Sequence, residues 1–265
     1  MASSIEWLIQ AATKGFLDSI DPNEVLTNLH VRTTNNLWSV LELAAKHGHL
    51  DQMPKAALTT ANLCNHTNTY NKSPLYYAAE AGFLHQVPKD VLDDATYDSQ
   101  GFKQQSILHF AAKKGQINLF PAERLTPTVV LATDANGRSA LHNAAIEHHL
   151  DQFPPAVITA QNLAMEDVTG WTPLLLAAGC GALNQIPTEI LTEAELTKSF
   201  RGQTAISLAQ QNGYIDQLLG IPISENCKSI VGQKWLNKNN AFIKARQEEM
   251  DRISTMQNDT DLDIF

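Results

Sequence analysis

The sequence predicts an all-α protein built as a row of stacked helical units. Three observations support this fold class. A segment recurs every 32 to 34 residues, each copy contains Ala-Ala or a close variant, and most copies have Gly four residues after the first Ala. A fixed period of this length is typical of solenoids, in which each unit buries its apolar face only against its neighbours. We therefore expect about seven units over residues 1–222.

The repeat is clearest around the Ala-Ala pairs. Five copies have the sequences "LELAAKHGHLDQMP", "LYYAAEAGFLHQVP", "LHFAAKKGQINLFP", "LHNAAIEHHLDQFP" and "LLLAAGCGALNQIP", and related segments begin at Leu8 and Ile206. Short Ala side chains let neighbouring helices approach closely. The Gly fits a helix C-terminus, where positive φ costs Gly nothing. His148 replaces this Gly in one copy, so we expect that turn to be strained or differently closed.

Helix starts and interruptions follow from the polar and proline positions. We expect the first helix of each repeat to begin near a Ser or Thr, namely Ser39, Ser73, Ser106, Ser139, Thr172 and Thr204. The second half of most repeats contains Pro, which removes a helical hydrogen bond: Pro54, Pro88, Pro121, Pro154 and Pro187. We therefore expect two short helical turns there, one opened by Pro at its first position and one capped by Thr, as Thr192 and Glu195 indicate.

The segments "GWTPLLLAAGCGAL" and "GRSALHNAAIEHHL" resemble the ankyrin-repeat pattern G-x-T-P-L-H-x-A-A-x-x-G, and the resemblance recurs in register over more than four-fifths of the chain. It implies an ankyrin-like helical repeat solenoid with projecting β-turn loops and a role in binding other proteins. It also implies a structural hydrogen-bonding role for His109 and His142. The prolines depart from the usual pattern and are similar to a proline-interrupted variant found in some bacterial proteins.

Composition disfavours several classes of function. The chain of 265 residues has 19 basic and 28 acidic residues, a net charge of −9, which disfavours binding to nucleic acid or to an anionic membrane. Its three widely separated cysteines are typical of reduced thiols in a cytoplasmic protein. We expect no signal peptide, because Glu6 lies before the first apolar run and no basic region precedes it, and no apolar stretch approaches membrane-spanning length. We expect a cytoplasmic protein that binds another protein.

Catalytic and metal-binding motifs are missing from the sequence. The nine histidines form no zinc-ligand pattern with cysteines, and there is no Gly-rich phosphate loop, G-x-S-x-G or H-E-x-x-H. We expect no cofactor, no metal and no enzymatic activity. An enzyme whose unrecognised site is assembled from distant repeats is the alternative.

Three variable columns of the repeat supply the candidate partner-binding residues: the position before each Ser or Thr, the positions between Ala-Ala and Gly, and the column that contains Tyr76. The position before each Ser or Thr varies freely, and the resemblance places it on the concave side, at the base of the projecting turn. Tryptophan there is not required by the core, and Trp and Arg are enriched at binding hot spots. The candidates are Trp38, Lys46, His47, Tyr76, Lys113, Lys114, Arg138 and Trp171. We expect Trp171→Ala and Arg138→Glu to weaken binding with little effect on melting temperature. Alternatively, these are solvated positions, and each Trp packs on a neighbouring loop.

After the repeats, residues 223–254 are predicted to form a helical cap. Trp235, Phe242 and Ile243 recur at roughly helical spacing, as do Met250 and Ile253. A cap would cover the apolar edge of the last repeat, because terminal repeats of a solenoid need one. The alternative is an amphipathic helix that binds a partner or self-associates.

Residues 255–265 are predicted to be a mobile acidic tail. The ending "NDTDLDIF" resembles the C-terminal tip of bacterial single-stranded DNA-binding proteins, although the proline of that tip is missing. The resemblance implies an anchor made of Asp259, Asp261, Asp263, Ile264 and Phe265. Two functions follow for the whole chain: a non-catalytic inhibitor, adaptor or effector that binds through its repeats, or a bacterial or phage factor that engages genome-maintenance enzymes through this tail. A solvated tail without a partner is the simpler alternative.

Overall fold

A computed structural model describes residues 4–33, 38–65, 72–94 and 105–260, and for residues 253–260 only the backbone. The described residues form an all-α fold, in which extended pairing is limited to the isolated bridges Arg32–Ser39 and Phe200–Gln203. The α-helices in chain order are α1 (Ser4–Lys14), α2 (Pro22–Thr27), α3 (Val40–His47), α4 (Thr60–Leu63), α5 (Pro74–Ala81), α6 (Lys89–Asp94), α7 (Ile107–Lys114), α8 (Pro127–Val130), α9 (Ala140–Glu147), α10 (Ala160–Leu163), α11 (Pro173–Cys180), α12 (Glu193–Thr197), α13 (Ala205–Gln211), α14 (Lys228–Val231) and α15 (Gln233–Thr260).

We call α1, α3, α5, α7, α9, α11 and α13 the leading helices, one for each sequence repeat. Each leading helix packs against the next one in the chain. Their conserved spacing of apolar positions explains this row, since Leu41, Leu75, Leu108 and Leu141 are all fully buried, as are both alanines of each pair beside them. The hydrophobic core therefore runs along the row and involves every leading helix.

The predicted helix starts are confirmed for the leading helices α3 to α13. Ser39 is the N-cap of α3: its Oγ accepts from the Glu42 backbone N–H at 3.2 Å, and its own N–H donates to Glu42 Oε2 at 2.8 Å. Ser73, Thr172 and Thr204 likewise accept from the residue three positions later. These side chains satisfy donors that a helix start leaves unpaired.

The second half of each repeat is built from short helical turns, as predicted. In the second repeat a 3₁₀ turn, Leu50–Gln52, precedes Pro54, and another, Lys55–Ala57, follows it. Pro54 is therefore the N-cap of that second turn and not its first residue, a shift of one position from the prediction. In the described ranges the remaining 3₁₀ helices are Leu17–Ser19, Leu84–Gln86, Ile117–Leu119, Ala122–Arg124, Leu150–Gln152, Leu183–Gln185, Ile215–Leu218 and Glu225–Cys227.

Glutamine side chains connect successive repeats. Gln185 Oε1 accepts from the Leu150 N–H at 3.0 Å, and Gln185 Nε2 donates to the His148 carbonyl at 2.6 Å. Gln86 and Gln217 make the same two bonds to the repeat before them. Each such Gln thus pairs with one backbone N–H and one backbone carbonyl in the turn that follows the leading helix of the repeat before it. The spacing between neighbouring repeats is therefore held by hydrogen bonds as well as by packing.

The C-terminal segment covers the last repeat and then extends past it. Trp235 and Leu236 are buried, and Trp235 Nε1 donates to Asp216 Oδ1 at 3.1 Å. Asn239 is fully buried, accepting from the Gly220 N–H and donating to the Ile221 carbonyl. Every residue from 244 to 252 is exposed. Helix α15 ends at Thr260, six residues beyond the predicted cap boundary at 254.

Candidate functional site

An aromatic patch lies at the start of α3 and on α5. The half-buried Trp38 ring packs on Tyr77, with 4.7 Å between ring centroids, and Lys46 Nζ lies 4.3 Å from the Trp38 centroid. A lysine ammonium this close to an indole face is held by a cation–π interaction. We call Trp38, Lys46 and Tyr77 the aromatic patch. The Trp38 ring therefore packs on the next repeat and is half-buried, and its role in binding a partner stays a prediction.

Tyr76 belongs to the core beneath this patch. Its side chain is only 2% exposed and packs edge-on against Phe110, with centroids 5.1 Å apart. Lys72 Nζ lies 4.4 Å from the Tyr76 centroid and pairs with Glu80 at 3.3 Å. A partner would therefore contact Lys72 before Tyr76, so the predicted contribution of Tyr76 to binding is limited to positioning that lysine.

A polar groove of about 300 Å³ opens between α7, α9 and the turn that precedes α9. Its lining includes the apolar side chains of Phe110 and Ile146, the amide of Asn143, and the charged Lys113 and Glu147. Lys113 and Glu147 are exposed, whereas Phe110 is 9% exposed. The groove thus combines apolar side chains, amides and charges of both signs, since Asp134 and Arg138 also line it. Such a combination suits the side chains and backbone of a peptide segment.

The turns that begin two of the repeats are organised by buried aspartates. Asp167 Oδ1 accepts from the backbone N–H groups of Thr169 and Trp171, at 2.8 and 3.0 Å, and from the Thr169 hydroxyl. Asp134 makes the equivalent bonds to Asn136 and Arg138 one repeat earlier. Burial alone would raise the pKa of Asp167, but these bonds and one from Arg138 outweigh it and hold the pKa at about 2.

The expectation that Arg138→Glu leaves stability unchanged is not supported by this geometry. Arg138 Nε lies 3.1 Å from Asp167 Oδ2, and the Asp167 side chain is 1% exposed. In the Arg138→Glu variant the new carboxylate would lie beside the buried Asp167 carboxylate, and the two negative charges would repel each other. Arg138 therefore links two repeats, and its substitution alters the fold as well as the groove.

The two buried histidines cap leading helices, which is the role that the ankyrin resemblance implies. His109 Nδ1 accepts from the Ser106 backbone N–H at 3.1 Å, so the ring proton resides on Nε2, which donates to the Arg138 carbonyl at 2.8 Å. His142 makes the same connection from Ser139 to the Trp171 carbonyl. Burial lowers the pKa of both rings, because the interior disfavours a charged imidazolium.

The remaining predicted residues occupy varied environments. His47 is exposed, and partial desolvation, with Lys46 and His49 nearby, lowers its pKa. The stem of Lys114 lies over Gly82. Trp171 is half-buried and packs against the core. The structure therefore brings Trp38 with Lys46 into one patch, and Lys113 with Arg138 into one groove.

The predicted tail anchor lies outside the residues whose side chains are described. The backbone of Asp259 continues α15, whereas Asp261, Asp263, Ile264 and Phe265 are outside the described ranges. The tail hypothesis stays a prediction. Within residues 4–33, 38–65, 72–94 and 105–252, no three His, Cys, Asp or Glu side chains form a group that could hold a metal ion. None of the helices in the described part of the chain has the length and apolar character needed to cross a membrane.

Several residues of this region were missed by the sequence analysis. Tyr77 was overlooked because its position is apolar in most other repeats, and it faces Trp38 only once the repeats are stacked. Asp134 and Asp167 had a detectable signal, since they lie 33 residues apart and each stands five residues before a cap, Ser139 or Thr172. Comparison of the chain with protein-family models and with curated proteins finds no match.

Proposed function

We propose that this chain is an ankyrin-like solenoid of about seven units, closed by a C-terminal helical cap, that binds another protein and catalyses no reaction. The binding surface is the aromatic patch together with the polar groove. The two share one face of the row, because Lys46 and Lys113 occupy equivalent repeat positions, as do Trp38 and Arg138.

The observation that carries this proposal is the environment of Trp38. Its ring is half-buried and is held between Tyr77 and Lys46, although other repeats place Lys, Gln or Arg at the same position. A rigid, partly exposed indole costs little conformational entropy when it is buried by a partner, and Trp is over-represented among hot spots. The groove beyond it adds the exposed ammonium group of Lys113, which suits an acidic group on the partner.

The net charge of −9 favours a protein partner over nucleic acid or an anionic membrane. Cys64, Cys180 and Cys227 are free thiols, and burial raises the pKa of each. Unreactive free thiols fit the cytoplasm, which we propose as the location.

Affinity purification with quantitative mass spectrometry tests the proposal through paired variants. Trp38→Ala is compared with Trp7→Ala, which removes another accessible tryptophan, 50% exposed at the N-terminal edge. Lys113→Glu is compared with Lys89→Glu, the same charge change on α6. We expect to recover a partner protein with the wild type. The amount captured should fall roughly tenfold or more with Trp38→Ala and with Lys113→Glu, because hot-spot truncations cost at least about 2 kcal/mol.

The outcome of the controls decides between surfaces. If all four variants capture the partner protein as well as the wild type does, the proposed surface is refuted. If Trp7→Ala and Trp38→Ala reduce its capture equally, the N-terminal edge is indicated instead. Deleting residues 261–265 in the same experiment tests the tail hypothesis independently, because that deletion leaves the described residues intact.

A further inference from the structure

The second half of α15 exposes its side chains over the part that the structure describes, residues 244–252. Helix α15 has 28 residues, and its packing against the last repeat involves Trp235, Leu236 and Asn239, with the Phe242 ring beside Gly220. From residue 244 to residue 252 every side chain is exposed, including Met250 at 60%. Single helices of this length gain most of their stability from packing of an apolar face. The exposed apolar side chains of this segment are therefore a candidate contact surface.

Apolar residues continue along the side of α15 that covers the last repeat. Ile243 and Met250 are seven residues apart, so they lie on the same side of the helix as Leu236, which is seven residues before Ile243. Phe242 is beside Ile243 and is 45% exposed. The stripe that is buried at Leu236 thus remains uncovered at Met250.

The charges of α15 are separated along its length. Its first 14 residues, 233–246, contain four basic residues and no acidic one, and its last 14, 247–260, contain four acidic residues and one basic one. The helix macrodipole favours the opposite order, with acidic residues near the N-terminus and basic residues near the C-terminus. The order is therefore unfavourable for the macrodipole of an isolated helix.

We infer that the exposed part of α15 pairs in antiparallel orientation with the same segment of a second copy of this chain. In that arrangement Lys244 and Arg246 of each helix lie beside the acidic Glu248, Glu249 and Asp251 of the other, and the two macrodipoles oppose each other. A two-fold axis makes the interface self-complementary, so a single sequence supplies both sides. A parallel pair would place like charges together. The dimer is independent of the proposed partner-binding face, which lies on the repeats and not on α15.

Charge reversal in the full-length chain tests both the dimer and its orientation, with molar mass measured by sedimentation equilibrium. Lys244→Glu with Arg246→Glu is the basic-block variant, Glu248→Lys with Glu249→Lys is the acidic-block variant, and the quadruple variant combines them. All four side chains are exposed, and the quadruple variant keeps opposite charges at the 244 and 248 positions, which form an intrahelical pair in the wild type.

We expect the wild type to be dimeric at ~100 µM chain, a concentration that saturates an interaction of micromolar strength. Each block variant should dimerise at least about tenfold more weakly, because the reversed block occurs twice in a dimer. The quadruple variant should recover dimerisation, and an equimolar mixture of the two block variants should form heterodimers. Raising the salt concentration should weaken the wild-type dimer through screening.

An apolar substitution with a matched control completes the test. Met250→Gln should weaken the dimer roughly tenfold or more, since Met burial is lost twice per dimer. Ala245→Gln, also exposed but away from the Ile243–Met250 line, should leave it unchanged. A monomeric wild type at this concentration overturns the inference, and so do block variants that dimerise as well as the wild type. Circular dichroism confirms that each variant retains the helical fold.

Discussion

At the residue scale, His148 shows how one repeat accommodates a departure from its own pattern. It ends α9 with φ 62° and ψ 49°, the left-handed conformation that Gly adopts after α3, α5, α7 and α11. A Cβ at Gly48 or Gly181 would lie 2.7 Å from the ring of Phe83 or Tyr214 in the next repeat. In the repeat after His148, the position equivalent to Phe83 and Tyr214 is occupied by Ala182, which is fully buried. The small Ala side chain leaves room for the His148 Cβ.

This pairing predicts a coupling between two positions. Ala182→Phe should destabilise the protein by about 1–3 kcal/mol, because a ring would meet the His148 Cβ. His148→Gly alone should stabilise by up to about 1 kcal/mol by relieving the left-handed conformation. The double variant should recover most of the loss from Ala182→Phe. Urea unfolding of all four proteins measures the coupling, and strictly additive effects would contradict the explanation.

Arg138 carries a second prediction at this scale. Arg138→Gln should lower the free energy of unfolding by about 1–2 kcal/mol, because Asp167 loses a charge-assisted hydrogen bond while it stays buried. Since the pKa of Asp167 is held at about 2, its contribution is present above the unfolded pKa of about 4 and is lost as pH falls from 4 towards 2. Urea unfolding at pH 7 and at pH 3 measures both effects. The loss caused by Arg138→Gln should be smaller at pH 3.

At the element scale, the leading helices are connected through their N-caps. Ser106 and His109 begin α7, and the His109 ring reaches the Arg138 carbonyl at the start of the next repeat. His142 joins α9 to Trp171 in the same way. In α3 the Glu42 side chain accepts the N–H of the N-cap residue of its own helix, Ser39. Each cap thus satisfies its own helix, and the histidine caps also hold the following turn in place.

These caps predict a loss of stability in mild acid. A protonated ring could not accept the Ser106 or Ser139 N–H, and the folded pKa of both histidines is lowered by burial. Their contribution is therefore complete above the unfolded pKa of about 6.5 and is lost as pH falls below it, up to about 1.4 kcal/mol per unit for each histidine. We expect a combined loss of about 1–2 kcal/mol from pH 6.5 to 5.5, measured by urea unfolding.

Glutamine does not titrate, and its Oε1 can accept the N-cap N–H as Glu42 Oε2 does in α3, so the variant with His109→Gln and His142→Gln should lose most of this pH dependence. His85→Gln changes an exposed histidine outside the caps and should retain it. An unchanged slope in the double variant would show that the pH dependence arises elsewhere in the chain.

At the scale of the whole molecule, the row of leading helices has unlike ends. At the first, Trp7 packs on Phe16, with centroids 5.0 Å apart, and stays 50% exposed. At the other, α14 and the first turns of α15 bury Trp235 and Leu236 against the last repeat. Terminal units of a repeat row need such a cover, because no further repeat hides their apolar edge.

Two truncations separate the cap from the rest of α15. Removing residues 233–265 should lower the free energy of unfolding by at least about 3–5 kcal/mol, the typical cost of deleting one buried Trp, and should promote aggregation. Removing residues 247–265 should change it by less than about 0.5 kcal/mol in dilute solution, since residues 247–252 are exposed. Equal losses for the two truncations would show that the second half of α15 supports the repeats.

The sequence by itself determined the leading helices, because their signals act over three or four residues: a Ser or Thr cap, an apolar face, an Ala pair and a terminal Gly. The tertiary structure alone decided which side chains meet between repeats, including Trp38 with Tyr77, Arg138 with Asp167, and Gln185 with the turn at His148. It also placed Tyr76 in the core. These partners are 29 to 39 residues apart in the chain, and contact at that separation depends on the stacking of the repeats, which no local pattern encodes.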